Sequence, residues 1–196
     1  MAPSSAHSST RSRGRPVEID KGQVARVALD LFEARGYEAV SAAEIAEASG
    51  ISRRSLFRYF PTKADLVWDR FADSVDVLTA SLSAAAEEDP VKAVMSAMAR
   101  VADATPILDI TRARLRIIAR TPTLVAFGMS RLSEQADIST HYLAERGLDP
   151  LRALVIGNAV TATTFSGYLH WALTSGDESP AETVRQALAA LAGIGG

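Results

Sequence analysis

The chain contains no cysteine, which excludes a disulfide scaffold, a thiolate metal site and a cysteine nucleophile. Its histidines are 3 in number, His7, His141 and His170, and none pairs closely with another, so no metal site is expected. No run of 18 apolar residues occurs, and the opening stretch from Met1 to Pro16 is rich in Ser and Arg rather than charged and then apolar. A signal peptide and a membrane span are therefore not expected, and the protein reads as soluble and cytoplasmic. A Gly-rich phosphate loop, a nucleophile–base pair and clustered ligands are all missing. That argues against an enzyme, and neither catalytic residues nor a cofactor are expected.

What is present is enough for a core. Of 196 residues, 47% are hydrophobic and 22% charged, at a mean hydropathy of +0.07, which suits a folded chain of one or two compact units. The net charge is −2, but its distribution is uneven: residues 1–70 carry +2 and residues 71–196 carry −4. Between Ile51 and Lys63 lie Arg53, Arg54, Arg58 and Lys63 with no acid among them. A local basic surface of this kind can act on a polyanion, because the field that matters reaches only about 8–10 Å.

Helix starts punctuate the sequence. Asp20, Ser41, Ser52 and Thr62 each precede a polar or acidic partner three positions on, with apolar or proline residues flanking the cap, the pattern of a capped N-terminus. Five further starts place proline behind a capping side chain, at Asp89-Pro90, Thr105-Pro106, Thr121-Pro122, Asp149-Pro150 and Ser179-Pro180, where the missing N–H costs nothing. Apolar spacing is helical between them, as at Val24, Val27, Ala28 and Leu31. Gly36 is placed to end the first helix. The expectation is an all-α protein of nine helices with no strands.

The stretch from Gly36 to Leu66 carries the most information. Two short helices, the first over Ala42 to Ala48 and the second opening at Ser52, flank Ser49-Gly50-Ile51, a tight turn with glycine where the backbone needs a positive φ. Ile45, Ala46, Ile51, Leu56 and Phe60 are placed to hold the helices crosswise. Arg53, Arg54, Ser55, Phe57, Arg58 and Tyr59 then face outward, a set that a DNA major groove accepts. The bland alternative is a helical hairpin with a solvated arginine face. Coincidence of glycine turn, small residue at the crossing and acid-free basic helix favours the helix-turn-helix.

Gly36, Tyr37, Ser41, Ile45, Ala46, Gly50, Ile51, Ser52, Ser55, Leu56, Tyr59, Phe60, Lys63 and Leu66 together resemble the DNA-binding motif of TetR-family transcriptional regulators. The motif spans about a quarter of the chain. Departures from it are Ala42 and Ala43 for a hydroxyl and a β-branched residue, Ser49 for alanine, and Phe57 for tyrosine. The resemblance implies a two-domain fold: a basic tail over 1–16, a helix-turn-helix domain over 17–66, and a ligand-binding and dimerisation domain over 67–196. It implies base contacts from Arg53, Arg54, Ser55 and Phe57, and phosphate contacts from Ser41, Arg58, Tyr59 and Lys63. Arg11, Arg13 and Arg15 of the tail could reach a minor groove or be plain solubilising residues.

Residues 71–196 hold no comparable motif. Pro150 to Ser175 reads as one helix of 26 residues whose single Arg/Lys/Asp/Glu side chain is Arg152, so it must be covered on more than one side. A partner chain is the favoured cover, with burial inside one monomer as the alternative. The last helix, with Ala187, Ala189, Ala190 and Ala192, allows close approach. The two C-terminal helices would thus form a homodimer, which the resemblance also implies. Such a dimer would read a near-palindromic double-stranded operator, and the resemblance implies a repressor released by a small-molecule effector.

Candidates for an effector pocket are Met95, Met98, Arg116, Phe127, Met129, Tyr142, Asn158, Thr161 and Phe165, which could equally be plain core. Arg112, Arg116 and Arg120 repeat at i, i+4 and i+8, an anion-binding stripe or a solvated face. The string ISRRSLFRYFPTK is similar to a family branch whose regulatory domains are linked with acyl-CoA-like ligands, which makes an acyl thioester the effector class to test. Alternatives are an interaction module that no longer binds DNA and a helical-domain enzyme.

Overall fold

The structure is a computed structural model that describes residues 19–86, 89–106, 108–174 and 178–193. Among these residues it is all helix and turn: α1 (Lys21–Arg35), α2 (Ala42–Ala48), α3 (Arg53–Tyr59), α4 (Lys63–Val67), α5 (Phe71–Ser83), α6 (Pro90–Asp103), α7 (Leu108–Arg120), α8 (Pro122–Glu145), α9 (Pro150–Leu173) and α10 (Pro180–Gly193). The tail arginines Arg11, Arg13 and Arg15 lie outside the described residues.

The caps read from sequence hold the chain as expected. Asp20, Ser41, Ser52 and Thr62 each accept a bond from the backbone N–H three residues on, each bond contributing about 0.5–2 kcal/mol. Ser41–Glu44 and Thr62–Asp65 close full capping boxes. Proline opens α6, α8, α9 and α10. At the remaining proline start Pro106 is not helical, and the described part of the helix runs over Leu108–Arg120. There Thr105 is no cap; its hydroxyl lies 2.8 Å from the Tyr168 hydroxyl.

The helix count is ten among the described residues, not nine. The extra helix is α5, which announces itself with neither cap nor proline. Its preceding residue, Arg70, has φ 66 and makes no side-chain capping bond. A left-handed arginine costs about 1–2 kcal/mol, and its guanidinium is tied back to Asp73 at 2.7 Å. The chain thus reverses at Asp69 and Arg70 through a strained corner that no sequence rule flags.

Two apolar clusters form the interior. One joins α1–α4 to α7, α8 and α9 through Phe32, Ile45, Leu56, Trp68, Ile118, Leu124 and Trp171. The other joins α5, α6, α8, α9 and α10 through Leu78, Met98, Leu143, Val160 and Val184. The N-terminal helices are therefore not a bead on a string, since Trp68 donates its indole N–H to the Leu124 carbonyl at 3.2 Å. At Gly128 an added Cβ would stand 2.0 Å from the Trp68 ring, so only glycine lets α8 pass. No described helix is long and apolar enough to cross a membrane.

The long helix α9 is two-faced. Ala153, Gly157, Val160, Thr164, Gly167 and Trp171 turn inward, while Leu151, Leu154, Val155 and Leu173 are 50–68% exposed. Its neighbours come close: an added Cβ at Gly167 would lie 3.1 Å from the Val184 backbone, and one at Gly157 would lie 2.4 Å from the Thr140 hydroxyl. Ala187 faces Gly167, whereas Ala189, Ala190 and Ala192 of α10 are exposed.

Candidate nucleic-acid interface and a neighbouring cavity

Helix α3 is held by few anchors. Leu56 and Phe60 are buried at 1% and 3% exposure, against Ile45 and Ala46 of α2 in the same cluster; each large buried side chain contributes about 1.5–3 kcal/mol. The turn between the helices is closed by Gly50 N–H to the Glu47 carbonyl and Ile51 N–H to the Ala46 carbonyl, at 3.0 and 2.9 Å. Gly50 has φ 66, and an added Cβ would meet nothing within 4 Å. Glycine is needed there for its backbone, not for space.

The other side of α3 is open. Arg53, Arg54, Phe57 and Arg58 are exposed, and among the described residues Arg53 and Arg54 make no ion pair or hydrogen bond. Their guanidinium forks are available for bidentate acceptors. Ser55 is half-buried, with its hydroxyl accepting from the Ser52 hydroxyl at 3.0 Å. Tyr59 sits between two cations: Arg58 lies 4.7 Å and Lys21 5.3 Å from its ring centroid, and Arg58 also donates to its hydroxyl at 2.9 Å. Lys21, the first residue of α1, extends the basic patch and escaped the sequence reading because it lies 32 residues before Arg53.

Lys63 does not stand on this face as a free cation. Its ammonium donates to the Tyr37 and Val40 carbonyls at 2.8 and 3.1 Å and lies 4.1 Å from the Tyr37 ring centroid. It clamps the turn between α1 and α2, and burial beside it pushes the Tyr37 phenol up to about 12. Ser41 is exposed but already committed to its capping box. In that box the Ser41 backbone N–H, the Ser41 hydroxyl and Arg35 hold the Glu44 carboxyl down at about 2.

A cavity of about 740 Å³ lies behind the motif, lined by residues of α1, the α4–α5 corner and α5 to α9. Of the nine residues expected to line an effector pocket, Phe165 alone lines this cavity. Met95 and Met98 belong to the second cluster. Phe127 packs on the first, beside Arg131. Met129 is 59% exposed. Tyr142 is buried in the second cluster under Arg146, and Thr161 is buried with an unpartnered hydroxyl. Asn158 is exposed on α9 and donates to the Leu154 carbonyl. Helical spacing identifies a core-facing stripe without saying which part of the core is hollow.

The arginine stripe of α7 also has another use. Arg116 donates to the Ala172 carbonyl at 2.8 Å, satisfying the C-terminal end of α9, and Arg112 stacks 4.5 Å from the Trp171 ring centroid. Arg114, between them in sequence, turns the other way and lines the cavity. A sequence signal for it existed: it falls in the apolar stripe Ile110, Arg114, Ile117, Ile118, and a charge in such a stripe marks either a pair or a site.

Comparison with known proteins agrees with this arrangement. Residues 25–68 match the family model "Bacterial regulatory proteins, tetR family", and residues 88–194, more than half the chain, match the MftR C-terminal domain. The chain belongs to the TetR family. It is 28% identical over 165 residues to a Mycobacterium tuberculosis transcriptional regulator named MftR and assigned to mycofactocin biosynthesis, covering 81% of this chain and 82% of that one. It is 38% identical over 76 residues to the repressor ComR of Escherichia coli, covering 37% and 36% of the two chains. Among solved structures, Thermus thermophilus FadR, a TetR-family repressor crystallised with lauroyl-CoA, superposes at a TM-score of 0.59 with 22% identity, over 88% of this chain and 93% of that one. These TetR-family matches identify a DNA-binding transcriptional regulator, and α2 and α3 are its helix-turn-helix.

Proposed function

We propose that this TetR-family chain is a homodimeric repressor that reads a near-palindromic operator through Arg53, Arg54, Ser55 and Phe57 and is released when an effector fills the cavity. The observation that carries this reading is the open face of α3, where Arg53 and Arg54 are exposed and uncommitted. Arg58, Tyr59 and Lys21 flank it as phosphate contacts. Lys63 keeps one ammonium N–H to spare for the DNA backbone while it braces the motif, and Ser41 positions that turn through its capping box with Glu44. Residues 17–66 serve DNA, residues 67–196 serve effector and partner, and the protein acts in the cytoplasm, where its operator is.

Dimerisation is assigned to α9 and α10. Four large apolar side chains of α9 lie exposed in a helical stripe, a pattern that asks for a partner. Effector control is supported by the position of the cavity, which is lined by Trp68, Asp69 and Arg70 directly after α4. An effector there acts only through unequal affinity for DNA-competent and incompetent states. An acyl-CoA-like effector remains a second reading: the apolar cavity wall and the FadR complex with lauroyl-CoA favour it, although Arg116, the residue picked for it, is spent on α9.

Selection of binding sites from random duplexes tests the operator reading. The expected product is an inverted repeat with half-sites one turn apart, about 34–36 Å. Recovery of no sequence, or of single half-sites only, overturns it.

A further inference from the structure

The cavity is largely apolar, with Trp68, Phe71, Val77, Ile110, Leu115 and Phe165 among its walls. Several of its polar groups are already satisfied: Thr105 pairs with Tyr168, and Gln135 donates to the Ser74 hydroxyl at 2.9 Å. Arg114 differs. Its side chain is 13% exposed, and its nearest carboxylate, Asp69, stands 4.0 Å away, beyond hydrogen-bond distance. Its Nε is buried without a partner and is the one such side-chain nitrogen among the described residues. Burial pushes the Arg114 guanidinium down and the Asp69 carboxyl up, as expected for two groups short of partners. A buried guanidinium so loosely matched is costly unless something else completes it.

We propose that the cavity takes an amphipathic monocarboxylate, its apolar body against these walls and its acid group forked onto Arg114 in place of Asp69. A carboxylate matches the planar donors of arginine two at a time, and a cavity of about 740 Å³ lies in the range of small-molecule sites, roughly 300–1,000 Å³. One acid group is what the charges allow. The exposed charged residues lining the cavity are Asp20, Asp73 and Asp76 against Arg26 and Arg70, and Arg70 is already paired with Asp73. A head bearing several phosphates would meet more acid than base there. The displaced Asp69 adjoins Arg70, the left-handed residue opening α5, so the acid group competes directly at the strained corner. This inference rests on the cavity being the effector site.

Calorimetric titration of the full-length protein with decanoate, 1-decanol and decylamine tests it. Decanoate is expected to bind at least ten-fold more tightly than 1-decanol, and decylamine not to bind. Asp69→Asn, which removes the competing carboxylate, should tighten decanoate several-fold and leave 1-decanol unchanged. Arg114→Met should weaken decanoate at least ten-fold with 1-decanol again unchanged; a purely structural arginine would move both ligands alike. Should Arg114→Met fail to fold, Asp69→Asn decides alone. Equal affinity for decanoate and 1-decanol, a preference for decylamine, weaker decanoate binding in Asp69→Asn, or no binding at all overturns the proposal. Release of selected operator DNA by whichever probe binds is scored separately. Release by 1-decanol with no decanoate preference sinks the carboxylate and keeps the regulator, whereas tight decanoate binding without release does the reverse.

Discussion

The arginines of α3 and those of α7 are the same side chain put to opposite uses. Arg53 and Arg54 are exposed and unengaged, whereas Arg112 stacks on Trp171, Arg116 holds the end of α9, and Arg114 is buried beside a cavity. An arginine costs little to keep in water and is then free for a partner molecule. Taken out of water it needs hydrogen bonds, and its loss is paid in the fold. Charge alone therefore says nothing about role until burial is known.

Substitutions can break or sharpen that contrast. The largest effect is expected from Arg53→Ala combined with Arg54→Ala. At about 1–3 kcal/mol for each guanine-type contact, operator affinity in fluorescence anisotropy should fall on the order of 100-fold or more. The melting temperature and the dimer should survive; loss of either would mean these arginines belong with those of α7. Next comes Arg116→Ala, the mirror experiment. Removing a charged hydrogen bond to the Ala172 carbonyl should cost about 1.5–3 kcal/mol of stability in denaturant melts, with specific affinity per folded dimer unchanged.

A smaller effect belongs to the turn. Gly50→Ala places a Cβ in open space but at φ 66, so a loss of about 1–2 kcal/mol is expected from backbone strain alone, read by thermal unfolding. Lys21→Ala should weaken all DNA sequences alike and reduce the slope of log affinity against log salt by about 1, with no change in the selected site. Smallest is the pH response of Glu44. Its carboxyl sits at about 2 in the folded chain, below the unfolded value of about 4.3. The stability it supplies is thus complete above that unfolded value and lost as pH falls toward 2. Glu44→Gln should lower stability slightly at neutral pH and flatten the curve across that window, the two proteins converging as pH falls toward 2.

How much of this was legible beforehand follows from where the information sits. The caps at Asp20, Ser41, Ser52 and Thr62 are local chemistry, fixed by residues three apart, and appear in the structure as written. The open face of α3 was legible for the same reason, since a helix of two turns with Leu56 inside leaves Arg53, Arg54, Phe57 and Arg58 outside. Helix α5 was missed because Arg70 reverses the chain without a capping side chain or glycine. The lining of the cavity, Phe165 apart, was not legible, because a hollow is a property of seven segments meeting and not of any one helix.

Sequence by itself thus determined most of the helices, their caps and the exposed basic face of α3, because short-range hydrogen bonds and helical periodicity act within a few residues. Tertiary structure decided the rest: that Lys63 clamps the α1–α2 turn rather than standing free, that Gly128 yields its space to Trp68, and that Arg114, unlike Arg112 and Arg116 of the same helix, borders a cavity. Those outcomes depend on which distant surfaces exclude water from one another, and burial, unlike periodicity, is settled only when the whole chain has packed.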